Sequence, residues 1–192
     1  LAQLGQSTLN PVLDALEHRG PDSRDAHFAP PAALGATRLA ILDRSNRANQ
    51  PMTARSGGLT LVFNGEIYNF QQLAEELGAL GHSFRTHCDT EVIVHAYEQW
   101  GPECVQRFRG MFAFAIHDRR RDRVLLARDG FGVNPLYVAP AAAREAILFA
   151  SEIKALLPGL PAVAPDREGL LEYLAFGYRH GPGTLFEGVE RL

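Results

Sequence analysis

The run FNGEIYNF, residues 63–70, follows the apolar run LTLV and carries more hydrogen-bonding chemistry than a strand end needs. Asn64 and Gly65 offer two donors, a side-chain amide and a main-chain N–H with no Cβ beside it. Together they could hold a reacting carbonyl while negative charge develops on its oxygen. Asn-Gly between apolar runs is also the strongest short hairpin signal, so a type I′ turn is the alternative. Glu66 adds a carboxylate directly afterwards. Two further charged residues stand apart: Arg38, alone in an apolar run, and Asp89, just ahead of a helical pattern. Taken singly, Arg38 reads as an ion-pair partner and Asp89 as a helix cap.

The elements that would position these residues follow from periodicity. Val12, Leu13 and Leu16, with Pro11 in front, predict a short helix over residues 11–19 that HRGPDS breaks. AALGATRLAIL predicts a buried strand over residues 32–42, followed by a polar loop through Arg55. LTLVF predicts a strand that ends in a tight turn at Asn64-Gly65. Leu73, Leu77 and Leu80 predict a helix over residues 70–80. Val92, Ile93, Ala96, Tyr97 and Trp100 predict a second, capped by Asp89 or Thr90, and ECVQRFRG a brief third. MFAFAIHD, RVLLARD, PLYVA and AILFAS predict a meander of antiparallel strands, after which EIKALL and REGLLEYLAF return to helix. Strands and helices are grouped rather than alternating, so the class is α+β, with sheets packed together and helices outside. The proline-flanked residues 158–165 would serve as a hinge.

Composition narrows the function classes. With 192 residues, 46% hydrophobic and 21% charged, the chain can bury the core of one compact domain. It has no long uninterrupted apolar stretch, so neither a membrane span nor a signal peptide is expected. A formal charge of -3 gives no basic face for nucleic acid, and the RRR cluster at residues 119–121 reads as a solvated turn. Cys88 and Cys104 are too few for a disulfide framework. CxxC pairs and zinc-spaced histidines are absent, the seven histidines are scattered, and no metal is expected. A cytoplasmic protein with reduced thiols is the default.

Read in order, HRGPDS, TRLAILD, QPM, FNGEIYNF, GHSFRTHCDTEV, GMFAFAIHD, ARDGFGVNPLY and FASEIKALL span most of the chain. This series resembles the glutaminase domain of class II glutamine amidotransferases, most closely the amino-terminal half of glutamine-hydrolysing asparagine synthetases. The resemblance implies an amino-terminal-nucleophile (Ntn) hydrolase fold, a four-layer αββα sandwich of two antiparallel sheets, as a single domain over residues 1–192. It implies an enzyme that hydrolyses L-glutamine to glutamate and ammonia for a carboxy-terminal, ATP-dependent synthetase domain. In that family an amino-terminal cysteine attacks the side-chain amide, and its own α-amine, with a reference pKa of about 8, acts as base. By motif, Asn64 and Gly65 would form the oxyanion hole. The planar fork of Arg38 would hold the substrate α-carboxylate, while Glu66 and Asp89 would meet its α-ammonium. No cofactor is implied for this domain; ATP and magnesium belong to the synthetase segment. A homodimer is left open.

The sequence departs from the family at several points. The family's Met-Cys-Gly-Ile start is not in it, and Leu1 has neither thiol nor hydroxyl, so the nucleophile strand is expected upstream of Leu1. The alternative is a degenerate, non-catalytic scaffold, like the relatives that close β-lactam rings. Retention of Arg38, Asn64, Gly65, Glu66 and Asp89 favours the first, because a scaffold with no glutamine to bind does not need this set. Ala36, Asn134 and Cys88 stand where relatives usually carry histidine, lysine or arginine, and serine or glycine. Cys88 beside His87 is not read as a catalytic dyad, since neighbours in an extended segment point apart. SGGL at residues 56–59 resembles the pyrophosphate loop SGG-x-DS of the synthetase half but fails at Thr60 and Leu61, so it reads as a simple loop.

Overall fold

The computed structural model describes residues 6–142 and 146–192. Its centre is an antiparallel sheet of β3 (Met52–Thr53), β4 (Leu59–Ile67), β5 (Gly110–Asp118) and β6 (Arg123–Arg128), in that order. Side-chain alternation gives this sheet two apolar faces. Leu61, Phe63, Ile67, Phe112, Phe114 and Ile116 face α2 (Phe70–Ala79) and α3 (Asp89–Trp100), meeting Leu73, Leu77, Val92, Ile93, Ala96 and Tyr97. Each fully buried side chain of this kind contributes roughly 1.5–3 kcal/mol.

The opposite face carries Val62 and Ala115, which pack on Leu34, Ala36 and Phe149. These come from a second β layer made of two ladders: the hairpin β1 (Ser23–Ala29) with β2 (Ala32–Arg38), and β8 (Ile147–Ala150), β7 (Tyr137–Pro140) and β9 (Glu190–Arg191) in that order. Val12, Ala15 and Leu16 of α1 (Gln6–Leu16), with Ala155 and Leu156 of α4 (Ile153–Leu156), close the outer side over Ala139, Ala150 and Val189. The layers are therefore helix, sheet, sheet, helix, the expected αββα order. A last helix, α5 (Arg167–Phe176), is capped by Asp166, whose Oδ1 accepts the Gly169 N–H at 3.1 Å.

Several local expectations are corrected. The strand predicted over residues 32–42 stops at Arg38, and Leu39, Ile41 and Leu42 are exposed. β1 was not among the expected strands, because Ser23, Arg24, Asp25 and His27 obscure any apolar alternation. α1 is described from Gln6 onward, so Pro11 lies inside the helix and removes one i→i−4 bond instead of opening it. The third helix is a 3-10 segment, Gly101–Arg107. Most consequential for the site, Asn64-Gly65 does not end β4. The β4–β5 ladder continues unbroken from Leu59↔Asp118 to Ile67↔Gly110. Gly65 stays in it at φ +143°, where a Cβ would lie 2.1 Å from the Met111 carbonyl oxygen. Glycine is used here for close backbone approach, not for a turn.

Candidate active site

Strand pairing leaves the Gly65 N–H free. Across the ladder, Phe112 turns its main-chain groups toward β6: its N–H donates to Asp129 Oδ2 at 3.2 Å, and its carbonyl accepts from the Asp129 N–H at 2.8 Å. Its partner Gly65 must then point its own N–H away from β5. On that side β3 reaches only as far as Met52↔Leu61, and Gln50 Oε1 takes the next outward donor, the Phe63 N–H, at 2.6 Å. Among the described residues no strand stands opposite Gly65. Next to it, Asn64 Nδ2 is buried and has no acceptor among the described residues. An unsatisfied buried donor costs roughly 1–3 kcal/mol, so its persistence calls for an explanation.

The carboxylates converge at the same end of β4. Asp89, the first residue of α3, is buried and does not cap its helix with its side chain; its Oδ2 accepts the Ile67 N–H at 3.0 Å, joining the start of α3 to β4. Burial pushes the Asp89 carboxyl above the usual range, and the like charge of Glu66 adds to the effect. The N–H groups of Ile67 and Thr90 oppose it without prevailing. No lysine, arginine or histidine forms an ion pair with Glu66 or Asp89 among the described residues. Two neighbouring acids thus stand without a counter-charge among the described residues.

Arg38 ends β2 and is not bonded directly to Asn64, Glu66 or Asp89. Its Nη1 donates to Asn49 Oδ1 at 3.0 Å and its Nη2 to the Asp43 carbonyl. The loop it grips reaches the others from two sides: Gln50 caps the Phe63 N–H, and Asp43 Oδ2 accepts the His87 N–H at 3.3 Å, two residues before Asp89. A guanidinium has five N–H donors, so the fork retains free ones for an incoming carboxylate.

Four positioning residues escaped sequence reasoning. Asn134 Nδ2 donates to the carbonyls of Asn64 (3.2 Å) and Met111 (2.9 Å), tying the loop after β6 to the Asn64-Gly65 peptide. Asp129 is buried and accepts the N–H groups of Phe112, Phe131, Val133 and Asn134 at 3.0–3.2 Å. Burial alone would raise its carboxyl, but these donors outweigh burial and hold it below the usual range. Glu91 is buried in the first turn of α3. It accepts the N–H groups of Arg85 and Thr86 and the Thr86 hydroxyl (2.6 Å), shaping the approach to Asp89; these bonds overcome burial and keep its carboxyl low. Gln50 is the fourth. Asp129 and Asn134 lie within ARDGFGVNPLY, where a lone acid in a Gly-rich loop could have signalled an N–H cluster.

The chain's own thiols offer no nucleophile. Cys104 is fully buried and its thiol is pushed up to about 12. Cys88 is buried with its sulfur 3.1 Å from Thr86 Oγ1, while His87 is exposed, so they form no dyad.

Two antiparallel β layers between helices define the Ntn-hydrolase fold class. More closely, the chain belongs to the glutamine amidotransferase domain family, whose sequence model matches residues 2–192. It is 38% identical over 192 residues to asparagine synthetase [glutamine-hydrolyzing] 3 of Bacillus subtilis (strain 168), covering 97% of this chain and 31% of that protein. It is 37% identical over 175 residues to asparagine synthetase [glutamine-hydrolyzing] 1 of the same organism, covering 91% of this chain and 27% of that protein. The chain thus spans less than a third of the length of these relatives. Among solved structures, the glutamine phosphoribosylpyrophosphate amidotransferase of B. subtilis, complexed with ADP and GMP, aligns with TM-score 0.55 and 28% identity, covering 65% of this chain and 28% of that one.

Proposed function

We propose that the domain hydrolyses the side-chain amide of L-glutamine at the end of β4 and supplies the ammonia to an ATP-dependent synthetase segment of the same protein; in support, its relatives are named glutamine-hydrolyzing asparagine synthetases. The observation that carries this reading is the unpartnered Asn64 Nδ2 beside the outward Gly65 N–H. A carbonyl oxygen becoming an oxyanion is the acceptor such a pair lacks, and each donor of this kind is worth roughly 100- to 1,000-fold in rate. Glu66 and Asp89 receive the α-ammonium, which supplies their missing counter-charge, and Arg38 receives the α-carboxylate. Cys88 and Cys104 are both buried, so neither supplies the attacking thiol. ATP and magnesium are needed only by the synthetase segment, and a cytoplasmic setting suits two free thiols.

The docking face for that segment is α5. Leu171 and Leu174 are 69% and 72% exposed, and Phe176 at the end of the helix and Tyr178 just past it are also exposed. Relatives about three times as long have the additional chain to cover it.

The test is ammonia release from L-glutamine by the full-length protein, together with glutamine titration of Arg38→Ala. Release by the native protein and loss of binding in the variant are expected. A full-length protein whose second codon is not cysteine, or one that releases no ammonia, refutes the hydrolytic reading; unchanged affinity in Arg38→Ala refutes the carboxylate assignment.

A further inference from the structure

On the flank of α3, two turns beyond Asp89, three side chains that the glutaminase reading does not use converge. His82 Nδ1 and His95 Nδ1 are 3.1 Å apart, Glu98 Oε2 is 3.1 Å from His95 Nδ1, and the same oxygen is 3.9 Å from His82 Nδ1. We propose that His82, His95 and Glu98 form a binding site for a divalent ion of the zinc and cobalt class, pinning the segment after α2 to α3.

The geometry fits such an ion. A triangle with these edges has a centre about 2.0 Å from all three atoms, the bond length of zinc to imidazole nitrogen and carboxylate oxygen. His95 and Glu98 lie one helical turn apart on a single face of α3, and His82 enters from the preceding loop. His95 is buried, while His82 and Glu98 are partly exposed, leaving the outer side open for a water as fourth ligand.

Each ligand is also oriented from behind. Gln99 Oε1 lies 3.0 Å from His82 Nε2, which places the ring proton on Nε2 and leaves the Nδ1 lone pair facing inward. His95 Nε2 faces the buried Glu91 carboxylate at 3.6 Å. That nitrogen has no hydrogen-bond partner among the described residues, and the nearby carboxylate suits a proton there, which would leave Nδ1 bare for an ion. In those tautomers two lone pairs face each other at 3.1 Å, and a cation between them relieves the repulsion. Glu98 is steadied through its other oxygen by the Ser56 hydroxyl at 3.0 Å, leaving Oε2 for the ion. Histidine and carboxylate ligands held by such outer partners are the usual construction of a transition-metal site.

The sequence does not advertise the site, because the ligands combine a loop residue with an i,i+3 pair and include no cysteine. The test is titration of the metal-stripped protein with Co2+ and Zn2+. A saturable one-to-one cobalt ligand-field band is expected, with a rise in Tm on adding Zn2+. His82→Gln and Glu98→Gln, at partly exposed positions that should fold normally, would weaken zinc binding by about 100-fold or more, and Gln99→Leu by about 10-fold. Absence of the cobalt band in the native protein overturns the proposal. So does equal zinc affinity in His82→Gln and Glu98→Gln, or a histidine pair that only shares a proton and gains no stability from either metal.

Discussion

Replacing Asp89 with asparagine should separate stability from binding. The change removes a charge and little volume, and the new side-chain oxygen can still accept the Ile67 N–H. A hydrogen bond to a charged group is worth roughly 1.5–3 kcal/mol and a neutral one roughly 0.5–1.5, so about 1 kcal/mol is lost there. Against it stands the penalty for a buried carboxylate without a counter-charge, several kcal/mol per ion after relaxation. Burial, helped by Glu66, raises the Asp89 carboxyl despite the opposing N–H groups, so ionising it costs more in the folded protein than in the unfolded chain. The contribution of a raised acid is present below its ordinary value of 3.8 and lost as pH rises through the folded value. At neutral pH, Asp89→Asn should therefore be at least as stable as the native protein, and the gain should vanish under strong acid. Glutamine should bind far more weakly. Truncating one member of a buried, hydrogen-bonded charge pair costs about 2–5 kcal/mol, or about 30-fold to several thousand-fold in Kd. Urea unfolding at neutral and acid pH, with calorimetric titration of L-glutamine, measures both. A variant less stable than the native protein that still binds glutamine normally would refute the ammonium-site reasoning.

Gly65→Ala places a Cβ 2.1 Å from the Met111 oxygen and 2.6 Å from Asn134 Nδ2 at a strained φ, and should lose roughly 2–6 kcal/mol. Gly78→Ala, where a Cβ on α2 meets nothing within 4 Å, should gain about 0.5–1 kcal/mol; equal urea midpoints for the two variants would contradict this contrast. Asn134→Ala releases the Asn64 carbonyl and should lower kcat for ammonia release by roughly 10- to 100-fold while leaving KM nearly unchanged; a KM effect alone would assign Asn134 to substrate binding instead. Asp129 is held low, so it stabilises above its ordinary value of 3.8, and that contribution disappears as pH falls through the folded value. Asp129→Asn turns an NH2 group toward two of the four donors and should cost roughly 2–4 kcal/mol at neutral pH, with a flatter acid limb in pH-dependent unfolding.

The legible parts of the fold were those with strong apolar periodicity. β4, β5, α2 and α3 bury one clear face each, and their grouping implied stacked sheets under helices. β1 was hidden because its outward residues are polar, and β2 was overextended because Leu39, Ile41 and Leu42 look buried in one dimension yet lie outside the sheet. Asn64-Gly65 was misread as a turn since the local signal is identical; only the partner strand shows that the chain runs straight on. The charged members Arg38, Glu66 and Asp89 were found through ordered motifs. Their spacing alone says nothing of Asn134 or Asp129, which act through main-chain carbonyls and N–H groups that any sequence contains.

Polar satisfaction is unevenly distributed around the site, and the unevenness has a mechanical meaning. Asp129, Glu91 and Gln50 meet donors from neighbouring main chain, fixing the loops on either side of β4 without using the site's own groups. Among the described residues at this end of β4, Asn64 Nδ2 and the outward Gly65 N–H lack an acceptor, and the acids Glu66 and Asp89 lack a counter-charge. A flexible loop would turn such groups to solvent or to one another; the surrounding bonds prevent that, so they remain poised for a ligand with an acceptor oxygen and an ammonium group. A ligand that binds only the folded form stabilises it by RT ln(1 + [L]/Kd), so a glutamine analogue should raise Tm in the native protein. The rise should disappear in Asp89→Asn even where the ligand-free variant is the more stable of the two, since the ligand then no longer relieves a buried charge.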